Sequence, residues 1–208
     1  MRRLAAIILA VPILLTGCIV PYGGADAVTK PTVAADGYVR LDEAGILQIK
    51  ASKTARLDMT SGRLTKASVG LENGTSQAPD VKVEGVMALD IEGPDGTISA
   101  KTDRLRLNGM NNGPDFSQVT YFLTADNRGD YFALIRDGVG RYGIDKESAE
   151  RWIDSISRQP EDKSDFAITP GTSTGLEVTY DLRYDGSKNV QVIIVHVCPL
   201  QVPSSSPL

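Results

Sequence analysis

The sequence predicts an α+β fold: a mainly antiparallel β-sheet with one long amphipathic helix, at about residues 146–158, packed on it. Three observations carry this. Stretches 81–91, 97–107 and 176–184 alternate apolar and polar residues with period two, the pattern of strands with one buried face. They are separated by turn chemistry at Asn73-Gly74, Gly93-Pro94-Asp95-Gly96, Asn108-Gly109 and Asp185-Gly186. One segment breaks that rhythm. Ala149, Trp152, Ile153 and Ile156 fall at i, i+3, i+4 and i+7 behind Asp145, a residue able to cap a helix.

The chain begins with a basic Met1-Arg2-Arg3, and residues 4–15 are then apolar or small throughout. As a helix this run reaches about 18 Å, against a hydrocarbon core of about 30 Å. It is too short to span and has the layout of a secretory signal. It ends in Leu15-Thr16-Gly17-Cys18, which resembles the lipobox of bacterial lipoproteins. The resemblance implies removal of residues 1–17, a diacylglyceryl thioether on Cys18 and acylation of its new amine. Two or more acyl chains anchor stably, at about 0.8 kcal/mol per buried methylene. Ile19 stands where many enteric bacteria place an aspartate for inner-membrane retention, which favours the outer membrane. Residues 18–37 hold two prolines and many small residues without periodicity, as in a flexible tether with a root-mean-square reach of about 25 Å. A single domain over 38–200 and a disordered tail over 201–208 complete the expected organisation.

Charge excludes some partners. The net charge of -4 becomes about -6 once Arg2 and Arg3 are removed, the basic count falling from 22 to 20 against 26 acidic residues. That balance carries no footprint for nucleic acid.

Along the domain, residues 46–51 and 64–71 read as strands, and with 81–91 and 97–107 they form an expected antiparallel meander. Residues 57–74 faintly echo 89–109, as a degenerate pair of hairpins would. The cadence of strand, Asp-Gly turn and Ser-Ala-Lys-rich strand loosely resembles the β-jellyroll proteins of lipopolysaccharide transport, without a motif that transfers a functional residue. Residues 118–123 and 131–135 read as a second hairpin of central strands covered on both sides, turning at Asp126-Asn127-Arg128-Gly129-Asp130. The Arg-Gly-Asp tripeptide there reads as turn chemistry. Gly138-Val139-Gly140-Arg141-Tyr142-Gly143 matches a dinucleotide fingerprint, but Asp145 would place a carboxylate where the phosphate belongs, so it reads as a glycine-rich connection. Trp152 reads as a core plug, residues 159–165 as a solvated loop, and 167–175 as turn-rich. Residues 176–184 read as a one-sided strand and 190–197 as one buried on both faces.

The catalytic ledger is mostly negative. His196 is the one histidine and reads as a core or sheet-end residue. Cys18 is assigned to lipid, which leaves Cys198 unpaired, as a buried strand cysteine. These two cannot form the usual zinc sets, and spacing along one strand puts them about 7 Å apart. No P-loop occurs. Asp90, Glu92 and Asp95 lack calcium-loop spacing. No catalytic residue, cofactor or metal is therefore expected, and the chain reads as more likely not an enzyme. The leading expectation is a lipid-anchored, non-enzymatic binding or assembly module for an envelope complex. The alternatives are a carrier of lipid or glycolipid with an apolar cavity, and a hydrolase using scattered carboxylates.

Overall fold

A computed structural model describes residues 37–75, 78–109 and 113–200. Leu15, Thr16, Gly17 and Cys18, the tether up to residue 36 and the tail 201–208 lie outside the described residues. The elements run α1 (Glu43–Ser52), β1 (Thr54–Asp58), β2 (Leu64–Thr65), β3 (Asp80–Glu92), β4 (Thr97–Asn108), β5 (Asp115–Phe116), β6 (Gln118–Ala125), α2 (Arg128–Tyr142), α3 (Lys146–Arg158), β7 (Lys163–Ala167), β8 (Glu177–Asp185) and β9 (Gln191–Cys198). The class is α+β, with a large, mostly antiparallel sheet.

Seven strands lie in the order β1-β3-β4-β6-β9-β8-β7, and β2 pairs with β5 apart from them. Every neighbour in the large sheet is antiparallel except β1 and β3. Register aligns Val81, Leu105, Tyr121, Val195 and Tyr180 in one row across five strands, and all five are buried. Cross-strand partners share a face, so this row forms the spine of the core. Helix α2 packs on β6, β8 and β9 and against α3. Helix α3 forms as its apolar stripe predicts. Asp145 Oδ1 accepts from the Ser148 amide (2.7 Å), and Ala149, Trp152, Ile153 and Ile156 are all buried.

Several expectations are corrected. Three helices occur among the described residues, not one. Residues 46–51 lie in α1, not a strand: Asp42 caps it by accepting from the Gly45 amide (3.0 Å), and Ile49 is its buried anchor. Short apolar runs fit either period, and the cap decides. Of 64–71 only Leu64 and Thr65 are strand, and residues 66–70 turn. The meander is broken because β1 joins β3 in parallel, Thr54 opposite Ala88. The echo of 57–74 in 89–109 has no structural counterpart, since only the latter spans a long hairpin. An open seven-stranded sheet with three helices is also not a β-jellyroll.

Residues 131–135 belong to α2, not to a hairpin. The helix starts at Asn127, whose side chain accepts from the Asp130 amide (2.9 Å). Its buried stripe is Tyr131, Ile135, Gly138 and Tyr142. A glycine inside the stripe hides the helical period from a hydropathy reading. Residues 163–165, expected in a loop, start edge strand β7, which pairs with β8. Strand β9 is not buried on both faces: Gln191, Ile193, Val195 and Val197 are buried, while Val192, Ile194, His196 and Cys198 are half-buried. Strand β6 likewise leaves Thr124 exposed and Phe122 half-buried.

Candidate functional site

Two glycines fix how α2 meets the sheet. A Cβ on Gly138 would stand 2.6 Å from Tyr180 Cε2, so only glycine lets the helix rest on that ring. Gly143, at φ +72°, ends the helix in the left-handed region, its amide donating to the Val139 carbonyl. Beside this contact, toward β3 and β4, a half-open cleft of about 510 Å³ separates α2 from the sheet. Its sheet side carries Ala88, Asp90, Ser99, Lys101, Tyr121 and Leu123. The helix supplies Leu134, Asp137, Arg141 and Tyr142, and Tyr180 closes the end.

The chemistry grades from wall to rim. Tyr121, Tyr142 and Tyr180 are buried. The Tyr142 hydroxyl donates to the Ser99 carbonyl (3.1 Å), and its oxygen is left to accept from the Tyr121 hydroxyl beside it. The Tyr121 hydroxyl is buried and makes no hydrogen bond of ordinary geometry among the described residues, only this looser approach to Tyr142. Burial, and then the nearby Tyr180 and Tyr142, pushes the Tyr121 phenol well above its ordinary range. Burial raises Tyr180 and Tyr142 in the same way. All three are neutral phenols at physiological pH. Charge sits outside them: Asp137 and Arg141 form an i,i+4 ion pair at 2.9 Å, and Asp90 accepts from the Ser99 hydroxyl at 2.7 Å. Half-exposed pairs of this kind add little stability. The cleft is lined by neither histidine nor cysteine. Its residues can enclose a ligand and hydrogen-bond it, and the Ser99 hydroxyl is its one nucleophile-type group bonded to a carboxylate, with no histidine between them.

A buried hydrogen bond contributes about 0.5–1.5 kcal/mol net. The Tyr121 hydroxyl has only its loose approach to Tyr142, so Tyr121→Phe is expected to keep the fold and change stability by less than about 1 kcal/mol. Urea unfolding followed by circular dichroism checks this, and a loss above about 1 kcal/mol would mean that the bond to Tyr142 is fully made.

The residues singled out from the sequence lie elsewhere or do other work. His196 sits on the sheet face opposite the Tyr121 row, with its Nδ1 against Gln118 Nε2 and 3.2 Å from Thr120 Oγ1, and its Nε2 3.9 Å from Asp181. It is a hydrogen-bonded sheet histidine. Burial lowers its pKa below 6.5, with Arg183 adding to the effect and Asp181 opposing it. The unfolded chain then binds that proton more readily, so stability is complete above 6.5 and falls as pH drops through the lower folded value. His196→Gln is expected to flatten the slope of stability against pH below 6.5, read from denaturant midpoints across pH 5–7.5. Cys198 is half-buried rather than buried, and burial raises its thiol.

Trp152 plugs the core, as expected. Its Nε1 donates to Ser164 Oγ (2.9 Å), and its ring meets Tyr131, Phe132 and Tyr184. Arg128-Gly129-Asp130 is the first turn of α2, not a hairpin tip. The Gly138–Gly143 fingerprint is the last part of the same helix and its cap, not a connection between a strand and a helix. Glu92 accepts from Tyr38 (2.6 Å) and pairs with Arg56. Among the described residues no group of three or more metal-ligating side chains occurs, and no helix is long and apolar enough to cross a membrane.

Sequence reasoning did not find this cleft. Its residues come from five elements distant in sequence, and two of them, Arg141 and Tyr142, were read as part of a glycine-rich connection. The stripe Tyr131, Ile135, Tyr142, read with glycine as a helix-packing residue, is the signal that could have exposed it. No family model matches the chain, and neither a curated protein nor a solved structure matches it.

Proposed function

We propose that this chain is a non-enzymatic binding module, anchored in a bacterial envelope through lipid on Cys18, with its ligand site in the cleft between α2 and the sheet. The observation that carries the binding reading is that cleft: about 510 Å³, walled by Leu123, Leu134 and three buried tyrosines, and rimmed by compensated charge. Ligand pockets are of this size, mostly apolar with a few placed polar groups. The Leu15-Thr16-Gly17-Cys18 lipobox supports the anchor, and Ile19 supports the outer membrane. The acidic balance of the chain speaks against nucleic acid. An envelope protein is the partner to which such a module would deliver or report its ligand. The apolar walls favour, as the second reading, a carrier of lipid or glycolipid.

The test has two arms. Wild type is expected in the membrane fraction and Cys18→Ala in the soluble periplasmic fraction; a wild type already soluble removes the anchor. Native mass spectrometry of membrane-extracted protein is expected to show a non-covalent adduct that Leu134→Trp, which fills the cleft, abolishes. An adduct-free wild type removes the binding reading.

A further inference from the structure

We infer that the cleft receives an extended polypeptide segment of a partner protein, which adds as a strand between β4 and β6; the inference rests on the binding reading above and names its ligand. The sheet is split at this place. Strands β4 and β6 pair from Leu105 opposite Tyr121 to Asn108 opposite Gln118 and no further, although both strands continue. Thr102 marks the fork. Its buried Oγ1 accepts from the Arg104 amide (3.1 Å) and from the Phe122 amide (3.2 Å), so a side chain stands where the ladder would take a carbonyl. Past that point residues 97–101 follow β3 alone, and residues 123–125 follow β9 alone.

Both strands turn main-chain groups into the split. Opposite residues of an antiparallel pair exchange both hydrogen bonds or neither. The Ala88 amide donates to the Lys53 carbonyl (2.9 Å) and the Met59 amide to the Glu92 carbonyl (2.7 Å), so Ala88, Asp90 and Glu92 direct their main chain to β1. Their partners Lys101, Ser99 and Thr97 therefore direct theirs away from β3. The Tyr142 hydroxyl reaches the Ser99 carbonyl on that side. On β6 the Phe122 amide points to Thr102, and alternation along the strand sends the Thr124 amide and carbonyl the same way. Ser99, Lys101 and Thr124 all line the cleft and are exposed. Among the described residues, the Ser99 amide and the amides and carbonyls of Lys101 and Thr124 have no main-chain partner.

Two unpaired strand edges facing one another across a gap are the complement of a strand. A strand that enters between them needs both of its own edges free. One that already belongs to the sheet of a folded partner, or of a second copy, has an edge taken. The occupant is therefore a segment without a sheet of its own, ordered as it binds. Because β4 and β6 are antiparallel, it lies antiparallel to one and parallel to the other. Ser99 and Lys101 are about 7 Å apart along β4, so the bonded stretch is about three residues. Leu134, Tyr142 and Tyr180 wall the cleft above the split, and Asp137 and Arg141 neutralise one another. Small or apolar residues of the segment fit that side.

In the test, short random peptides displayed on phage are selected against the full chain carrying Cys18→Ala, and the enriched peptides are synthesised. Calorimetry compares each with versions N-methylated at one residue at a time. A strand added to a single edge bonds through alternate residues, whereas one inserted between two edges bonds through every residue. N-methylation is expected to weaken binding about tenfold at each of about three consecutive residues. Leu134→Trp should weaken the unmodified peptide about tenfold or more. Thr124→Pro, which removes an amide the sheet does not use, should do the same. Amide exchange followed by nuclear magnetic resonance should slow about tenfold or more at Ser99, Lys101 and Thr124 when the peptide is added.

Sensitivity at alternate residues alone overturns insertion between two edges. Insensitivity to N-methylation, with binding lost in Leu134→Trp, overturns the strand geometry and leaves the cleft a binding site. Unchanged binding in Leu134→Trp places the peptide outside the cleft and overturns the inference. Enrichment of no peptide, while the native adduct persists, overturns the peptide class alone. Should Thr124→Pro fail to fold, the N-methyl series and Leu134→Trp decide between these outcomes.

Discussion

Trp152→Ala is expected to destabilise the protein by about 3–5 kcal/mol, the usual cost of truncating a large buried aromatic. The Trp152 ring lies edge-on to Tyr184 at 5.9 Å and tilted to Tyr131 at 5.9 Å, and Phe132 approaches edge-on at 6.3 Å. One ring thus joins α3, α2 and β8. Its Nε1 also holds Ser164 on the edge strand β7. Deleting it opens a cavity among three rings and leaves Ser164 without that partner. Trp152→Phe, which retains most of the packing and loses the hydrogen bond, should cost about 1–2 kcal/mol. Urea unfolding followed by far-ultraviolet circular dichroism measures both. A Trp152→Ala loss below about 1 kcal/mol would mean that the three elements are held together elsewhere.

The second large effect contrasts two glycines of α2. Gly138→Val should destabilise by about 3 kcal/mol, because side-chain atoms have no room against Tyr180 and overpacking outweighs the small gain of helix propensity over glycine. The ideal Cβ already lies 2.6 Å and 2.7 Å from two ring atoms of Tyr180 and 3.0 Å from Ile144 Cδ1. Gly140, two residues on, has nothing within 4 Å of its Cβ position. Gly140→Ala should therefore stabilise by about 0.5–1 kcal/mol through helix propensity. Thermal melts of the two variants beside wild type check the sign. Shifts in the same direction would show that α2 does not rest on Tyr180, and the cleft beside that contact would lose its geometry.

Much of the fold was legible because one signal was local. Strands β3, β4 and β8 carry period-two alternation between strong turns, and α3 carries its cap and stripe within one short segment. The misreadings share a different cause. In α1 the run Ile46-Leu47-Gln48-Ile49 fits strand or helix, and Leu47 ends 61% exposed. In α2 the stripe passes through Gly138, whose role is to be absent as a side chain. Strand β7 is almost wholly exposed, and only its ladder to β8 makes it a strand.

The candidate site was the least legible part. Tyr121, Tyr142 and Tyr180 are separated in sequence and look alike in any hydropathy pattern. They meet because register sets Tyr121 and Tyr180 in one row and α2 lays Tyr142 over it. The burial of the Tyr121 hydroxyl beside Tyr142 and Tyr180 is a property of that neighbourhood, not of the residue.

The sequence by itself determined the turns, the alternating strands, the capped helix α3 and the acidic balance, since each depends on neighbours along the chain or on composition alone. Tertiary structure alone decided that β1 runs parallel to β3, that α2 is a helix and that a cleft opens beside Gly138. Those outcomes depend on which distant surfaces exclude water together and on whether a Cβ has room, and neither quantity exists until the sheet has closed its register.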